Sequence, residues 1–130
     1  MATLFTKIIK GEIPSYKIAE NEFCYAFLDI YPLQKGHTLV VPKTEVDQFF
    51  ELDDHMIKEL MSFSKQVAKG IKKAFSCHRI GSAIIGFDVP HAHVHLIPIN
   101  KTSDMNFANE KLQLTTDEFE QIAAQIRKNL

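Results

Sequence analysis

The sequence predicts an α+β fold: a mostly antiparallel sheet of about five strands, with a long crossover helix and a C-terminal helix. Three observations carry this expectation. Two segments repeat apolar residues at the helical period, each behind an N-terminal cap. Several short apolar or β-branched runs lie between them. Most connections are short enough for hairpins, with a single long helical crossover, which places the helices on one side of the sheet.

In chain order, a short helix from Thr3 to Lys10 ends at Gly11. A weak strand candidate surrounds Tyr16–Ala19. Cys24–Leu28 is apolar and aromatic, and Thr38–Val41 is β-branched and closed by Pro42. Asp53 caps the long helix, with Leu52 stapled onto Ile57. Its apolar stripe runs through Met56, Leu60, Val67 and Ile71 to about residue 75, with Ser64 as a polar gap. Gly81–Ile85 reads as a glycine-flanked strand, and His91–Ile99 alternates strictly at its start. Thr115 opens the last helix, to about residue 128, with Glu118 completing a capping box and Leu114 stapled onto Phe119. Phe119, Ile122, Ala123 and Ile126 form its inner stripe.

With 130 residues, the chain reads as one domain over 1–130. Fifteen Lys and Arg face sixteen Asp and Glu, a formal charge of −1 with all six histidines neutral. That balance argues against a DNA or RNA backbone binder, which needs a basic excess. No apolar run reaches spanning length and Met1–Lys7 has no signal-peptide core, so the expectation is a cytoplasmic protein with no membrane partner. Cys24 and Cys77 have no second cysteine nearby and read as inert thiols of a reducing compartment.

The most informative segment is His91-Ala92-His93-Val94-His95-Leu96-Ile97-Pro98. On a strand, His91, His93 and His95 share one face, and Ala92, Val94 and Leu96 form an apolar face. Three neutral imidazoles in a row are costly to bury without partners. Three readings are open. The histidines are structural and hydrogen-bonded; or two of them, with His37, chelate a metal; or one is a nucleophile beside a second imidazole that donates to a phosphoryl oxygen. There is no G-x-S-x-G elbow and no P-loop. Asp29, at the end of an aromatic strand, reads either as a turn residue before Tyr31-Pro32 or as an acceptor for ribose hydroxyls.

His91 to Ile97 closely resembles the signature of the histidine triad family. Phe5-Thr-Lys-Ile-Ile-Lys-Gly-Glu-Ile-Pro14, Phe27-Leu-Asp-Ile30 and Lys35-Gly-His-Thr-Leu-Val-Val-Pro-Lys43 resemble its other segments, so the likeness covers roughly residues 4–100. Met105-Asn-Phe-Ala108 and the last helix look like bacterial members of the Hint-like branch. The resemblance implies a homodimer and hydrolysis of nucleoside 5'-phosphoramidates, notably adenosine ones, through a nucleotidyl-histidine intermediate. Another branch takes dinucleoside polyphosphates, and a regulatory nucleotide-binding dimer with vestigial activity is a further alternative. Carried over, His93 is the nucleophile, His95 and His37 are phosphate-side partners, and His91 supports orientation. Asp29 binds ribose, Phe5, Ile8, Phe27 and Ile30 form the base slot, and Asp88 and Val89 border the nucleotide. The partner expected is an AMP-containing substrate. No cofactor is expected.

Two departures stand out. Before the triad, Phe87 replaces a usual Gln, the position of a usual Asn is apolar, and Asp88 stands where many relatives carry a small hydroxyl. Asp88 either disfavours an anionic polyphosphate leaving group over an amine, or is solvated and irrelevant. Several bacterial relatives hold a structural zinc on a Cys-x-x-Cys, a histidine after the Pro-Lys pair and a triad-region histidine. Here those first three positions are Thr3, Thr6 and Glu45, so no structural zinc is expected. His55 and His78 read as surface residues, and Lys65, Lys69, Lys72 and Lys73 as a solvated helix face.

Overall fold

The structure, a computed structural model, describes residues 2–130. A short α1 (Leu4–Ile9) leads into β1 (Lys17–Glu20), β2 (Cys24–Leu28) and β3 (Thr38–Pro42). The long α2 (Asp54–Ala74), β4 (Arg79–Ala83), β5 (Val94–Ile99) and α3 (Thr116–Lys128) follow. The five strands form one antiparallel sheet in the order β1-β2-β3-β5-β4. β3 and β4 run the same way on either side of β5, so no hairpin can join them and α2 supplies the crossover.

The helix starts follow the sequence. Thr3 Oγ1 accepts from the Thr6 N–H, Asp53 from the Met56 N–H, and Thr115 with Glu118 closes a capping box. Ser64 is buried in the α2 stripe and donates its hydroxyl to the Leu60 carbonyl at 2.8 Å, which leaves no unpaired polar group there. Lys65, Lys69, Lys72 and Lys73 are exposed, as are His55 and His78.

β2 and β3 are buried at every position. One face, with Ala26, Leu28, Val40, Val94 and Leu96, packs in a core with Leu60, Val67 and Ile71 of α2 and Phe119, Ile122 and Ile126 of α3. The other face, with Tyr25, Phe27, Leu39 and Val41, clusters with Phe5 and Ile8 of α1. The expectation of helices on one side therefore holds for α2 and α3 and fails for α1. A strand that is apolar at every position has two faces to bury, and one helical layer covers only one.

Two strand boundaries also differ from expectation. β4 is Arg79–Ala83, not Gly81–Ile85: Ala83 pairs with His95 and β5 begins at Val94, so Ile84 and Ile85 pass beyond the ladder and are exposed. β5 is Val94–Ile99, not His91–Ile99. The His91 N–H turns back to the Val89 carbonyl at 2.8 Å and the Ala92 N–H reaches the Val46 carbonyl at 2.7 Å, so both amides are satisfied outside the sheet. Among the described residues no helix is long and apolar enough to cross a membrane.

Candidate active site

β3 and β5 set the site on the α1 face. His95 pairs with Leu39, whose other neighbour is Phe27, so the imidazole stands on the face that α1 covers. His37 precedes β3, with its backbone tied to Gln34 and Asp29. His37, His91, His93 and His95 are all buried. Among the described residues no buried side-chain nitrogen or oxygen lacks a partner.

Those partners dictate where each ring proton sits. The Leu33 N–H donates to His37 Nδ1 at 3.0 Å, so the neutral His37 ring carries its proton on Nε2. That proton is donated to His95 Nδ1, 2.9 Å away. His95 in turn carries its own proton on Nε2. A single backbone amide thus fixes two tautomers in series. His93 Nδ1 lies 2.7 Å from the His91 carbonyl, which can only accept, so Nδ1 holds the proton and Nε2 keeps a free lone pair. His91 Nε2 donates to the Pro42 carbonyl at 2.8 Å, and its Nδ1 accepts from the Thr3 hydroxyl at 2.7 Å.

His93 and His95 line a cleft of about 310 Å³. Phe5, Ile8, Phe27 and Ile30 form its apolar wall together with Leu39 and Ile13. Asp29, Asp88 and Val89 line it as well. Nine of the eleven residues singled out in the sequence therefore meet there. The other two, His37 and His91, lie behind it: His37 meets the cleft through His95 and Asp29, and His91 through its carbonyl on the His93 ring and through Phe5. Phe5 stands edge-on to His91, His93 and Phe27, with centroids 5.6, 5.1 and 5.4 Å apart.

Burial holds these imidazoles neutral. It pushes His37 down to about 3 and His95 down to about 4, with each ring opposed further by a neighbouring imidazole. His93 and His91 are lowered by burial too, against the carbonyls that favour their protonated forms. Asp29 moves the other way, raised by burial, although the Tyr31 N–H opposes the shift. The 3.5 Å contact between His37 Nε2 and Asp29 Oδ2 is therefore a contact to a neutral ring, not an ion pair. The turn reading of Asp29 is visible in its geometry. Oδ1 accepts from the Tyr31 N–H at 2.8 Å, as in an Asx turn, while the residue also lines the cleft. Cys24 is buried and its thiol is pushed up to about 11, which makes it inert.

The metal readings fare poorly against the same proton arrangement. Asp29, His37 and His95 offer ligand atoms within 4.8 Å of one another. Yet His37 Nε2 is protonated and donating, so it has no lone pair for an ion unless the Leu33 bond breaks. At the position where the family resemblance implies a structural zinc in relatives, the donor set here is two hydroxyls, one carboxylate and His91. Thr3 Oγ1 and His91 Nδ1 are 2.7 Å apart, whereas two N or O ligands on a tetrahedral zinc sit about 3.3 Å apart. These residues do not fit zinc.

Sequence reasoning missed Phe107, which packs edge-on against His95 with centroids 4.9 Å apart and also faces His37 at 6.2 Å. It missed the Leu33 amide as well. An aromatic within the stretch noted at Met105–Ala108 was a usable signal; a backbone amide leaves none.

Comparison with known proteins identifies the family. The family model described as the HIT domain matches residues 10–102. An HIT-like protein of Borreliella burgdorferi is 35% identical, covering 98% of this chain and 97% of that protein. The adenosine 5'-monophosphoramidase of Saccharomyces cerevisiae is 39% identical over 75% of this chain and 62% of its own length. The crystal structure of a Hit-like protein involved in cell-cycle regulation from Bartonella henselae superposes with a TM-score of 0.85 at 30% identity, covering 98% of this chain and 96% of that one. On its triad, its sheet and these matches, the chain belongs to the histidine triad family.

Proposed function

We propose that the chain is a nucleotide hydrolase that cleaves nucleoside 5'-phosphoramidates, adenosine ones in particular, through a nucleotidyl intermediate on His93. The observation that carries the reading is the His93 ring: its Nδ1 proton is held by the His91 carbonyl, and its Nε2 is left as a lone pair on a ring that lines the cleft. The base enters the apolar slot of Phe5, Ile8, Phe27 and Ile30, and Asp29 accepts from the ribose hydroxyls. The α-phosphate then lies at the imidazoles.

The chemistry follows from the tautomers. His93 Nε2 attacks phosphorus and forms a phosphorus–nitrogen bond. The bond to the leaving amine breaks, its electron pair goes to the amine nitrogen, and the amine takes a proton from water. The His91 carbonyl steadies the ring proton of the phosphorylated imidazole. His95 donates Nε2–H to a phosphoryl oxygen, and charge that builds there is met by a fixed donor. A water then attacks phosphorus, its released proton neutralises the hydroxide left when the amine was protonated, the electron pair of the breaking phosphorus–nitrogen bond returns to Nε2, and the nucleoside monophosphate leaves. One water is consumed overall. Asp88 beside the cleft favours a neutral or cationic amine over an anionic polyphosphate leaving group.

The family likeness supports a homodimer. Edge strand β4 and the exposed Ile84, Ile85 and Phe87 next to it offer an open strand edge with an apolar flank for a second copy. The test of function is turnover across adenosine phosphoramidates and diadenosine polyphosphates under matched conditions. The reading expects the phosphoramidates to be hydrolysed faster at equal concentration. A ratio below one refutes the leaving-group preference, and no turnover of either class refutes the hydrolase.

A further inference from the structure

Glu45 is exposed and lines neither the cleft nor the triad, yet it accepts bonds from two residues at the start of α1 and is linked through one of them to His91. Its Oε1 accepts from the Thr3 N–H at 2.7 Å and from the Thr6 hydroxyl at 2.7 Å. These bonds tie the N-terminal turn of α1 to the segment after β3. The Thr6 N–H donates to Thr3 Oγ1 at 3.1 Å, and the Thr3 hydroxyl donates to His91 Nδ1 at 2.7 Å. His91 completes the series with Nε2–H to the Pro42 carbonyl and its own carbonyl on His93 Nδ1. Each hydroxyl donates one proton and each acceptor is of the right kind, so the network is self-consistent in one direction. The hydrogen bonds to Glu45 hold its carboxyl below the usual carboxylate range, which keeps the acceptor ionised.

The network spans the two sides of the nucleotide slot. α1 carries Phe5 and Ile8, and Phe5 packs edge-on to both His91 and His93. A six-residue helix is too short to hold itself in water, so its position comes from its contacts. The same four positions are those that do not fit zinc.

We propose that Glu45 is a positioning residue: through Thr3, Thr6 and His91 it pins α1 over the triad by hydrogen bonds. This rests on the reading of the cleft as a nucleotide site only for its effect on affinity; the pinning of α1 stands apart from it.

The experiment compares the wild type with Glu45→Ala, Thr3→Val and Glu45→Gln, the last of which keeps an acceptor oxygen. Amide hydrogen exchange is read over Leu4–Lys10, and AMP affinity, KM and kcat are measured alongside. Glu45→Ala, which loses two charge-assisted bonds, and Thr3→Val, which loses the neutral hydroxyl bonds to His91 and the Thr6 N–H, should each speed exchange of α1 and raise the AMP Kd and KM about 10-fold, with kcat within about twofold of wild type. Glu45→Gln should restore most of both. Zinc added to the wild type should change neither exchange nor affinity. Unchanged α1 exchange in Glu45→Ala, damage as large in Glu45→Gln, or tight zinc at one per chain that His91→Ala removes would overturn the proposal. If the wild type binds no AMP, the nucleotide reading fails while the exchange measurement still decides the pinning.

Discussion

On the α2–α3 face of the sheet, Val40, Val94 and Leu96 join an all-apolar cluster; on the α1 face, their chain neighbours Leu39, His93 and His95 border a cleft. Leu39 and His95 sit on the same strands as Val40, Val94 and Leu96, so alternation assigns their roles, while His93 carries the alternation on just before β5 begins. The first face needs only volume filled without gaps. The second also needs direction, because four imidazoles are buried there and every ring nitrogen facing protein must meet a donor or acceptor of the right sense. The Leu33 amide, the Pro42 carbonyl and the His91 carbonyl provide that direction, and each is a backbone group that substitution elsewhere cannot easily remove. The difference teaches that the fold isolates its chemistry on one face and its stability on the other.

Acid is the strongest way to break that comparison. His37 and His95 are neutral in the fold and titrate at about 3 and about 4, against an ordinary 6.5. The unfolded chain takes up those protons first, so stability is unaffected above pH 6.5 and falls as pH drops toward 4. Each histidine contributes at most about 1.4 kcal/mol per pH unit, so the two together remove about 4 kcal/mol between pH 6.5 and 4.5. Denaturant melts across that range measure it. A His37→Gln, His95→Gln double variant should flatten the slope; an unchanged slope would place the acid sensitivity elsewhere.

A smaller effect comes from the opposite face. Leu60 is fully buried beneath the sheet, and Leu60→Ala should cost about 3 kcal/mol as a cavity. AMP affinity of the remaining folded protein should stay at the wild-type value in an equilibrium titration. A parallel loss of affinity would mean that the two faces are coupled.

The sequence announced both long helices because a 3.6-residue period and a cap are local properties, and Asp53 and Thr115 cap as read. It announced the histidine face because period 2 is equally local. What it did not show depends on contacts distant in the chain. His91 and Ala92 leave the strand because Val89 and Val46 accept their amides, and no residue type advertises that choice. α1 sits opposite the other helices because Phe27 and Leu39 need cover on their own face, a fact of the sheet and not of Leu4–Ile9. Phe107 reaches His95 from beyond β5, where no periodicity links them. The residues of the cleft were thus legible as types, and their proton directions were not.

The central claim is that His93 Nε2 is the atom that takes the nucleotide. Its most direct test is to mix the protein with an adenosine phosphoramidate labelled at phosphorus, quench it in base during turnover, and locate the acid-labile label by peptide mass spectrometry. The account expects the label on His93 alone, and none on the His93→Ala protein, which should still bind AMP. Label on any other residue, or turnover retained in His93→Ala, would contradict it.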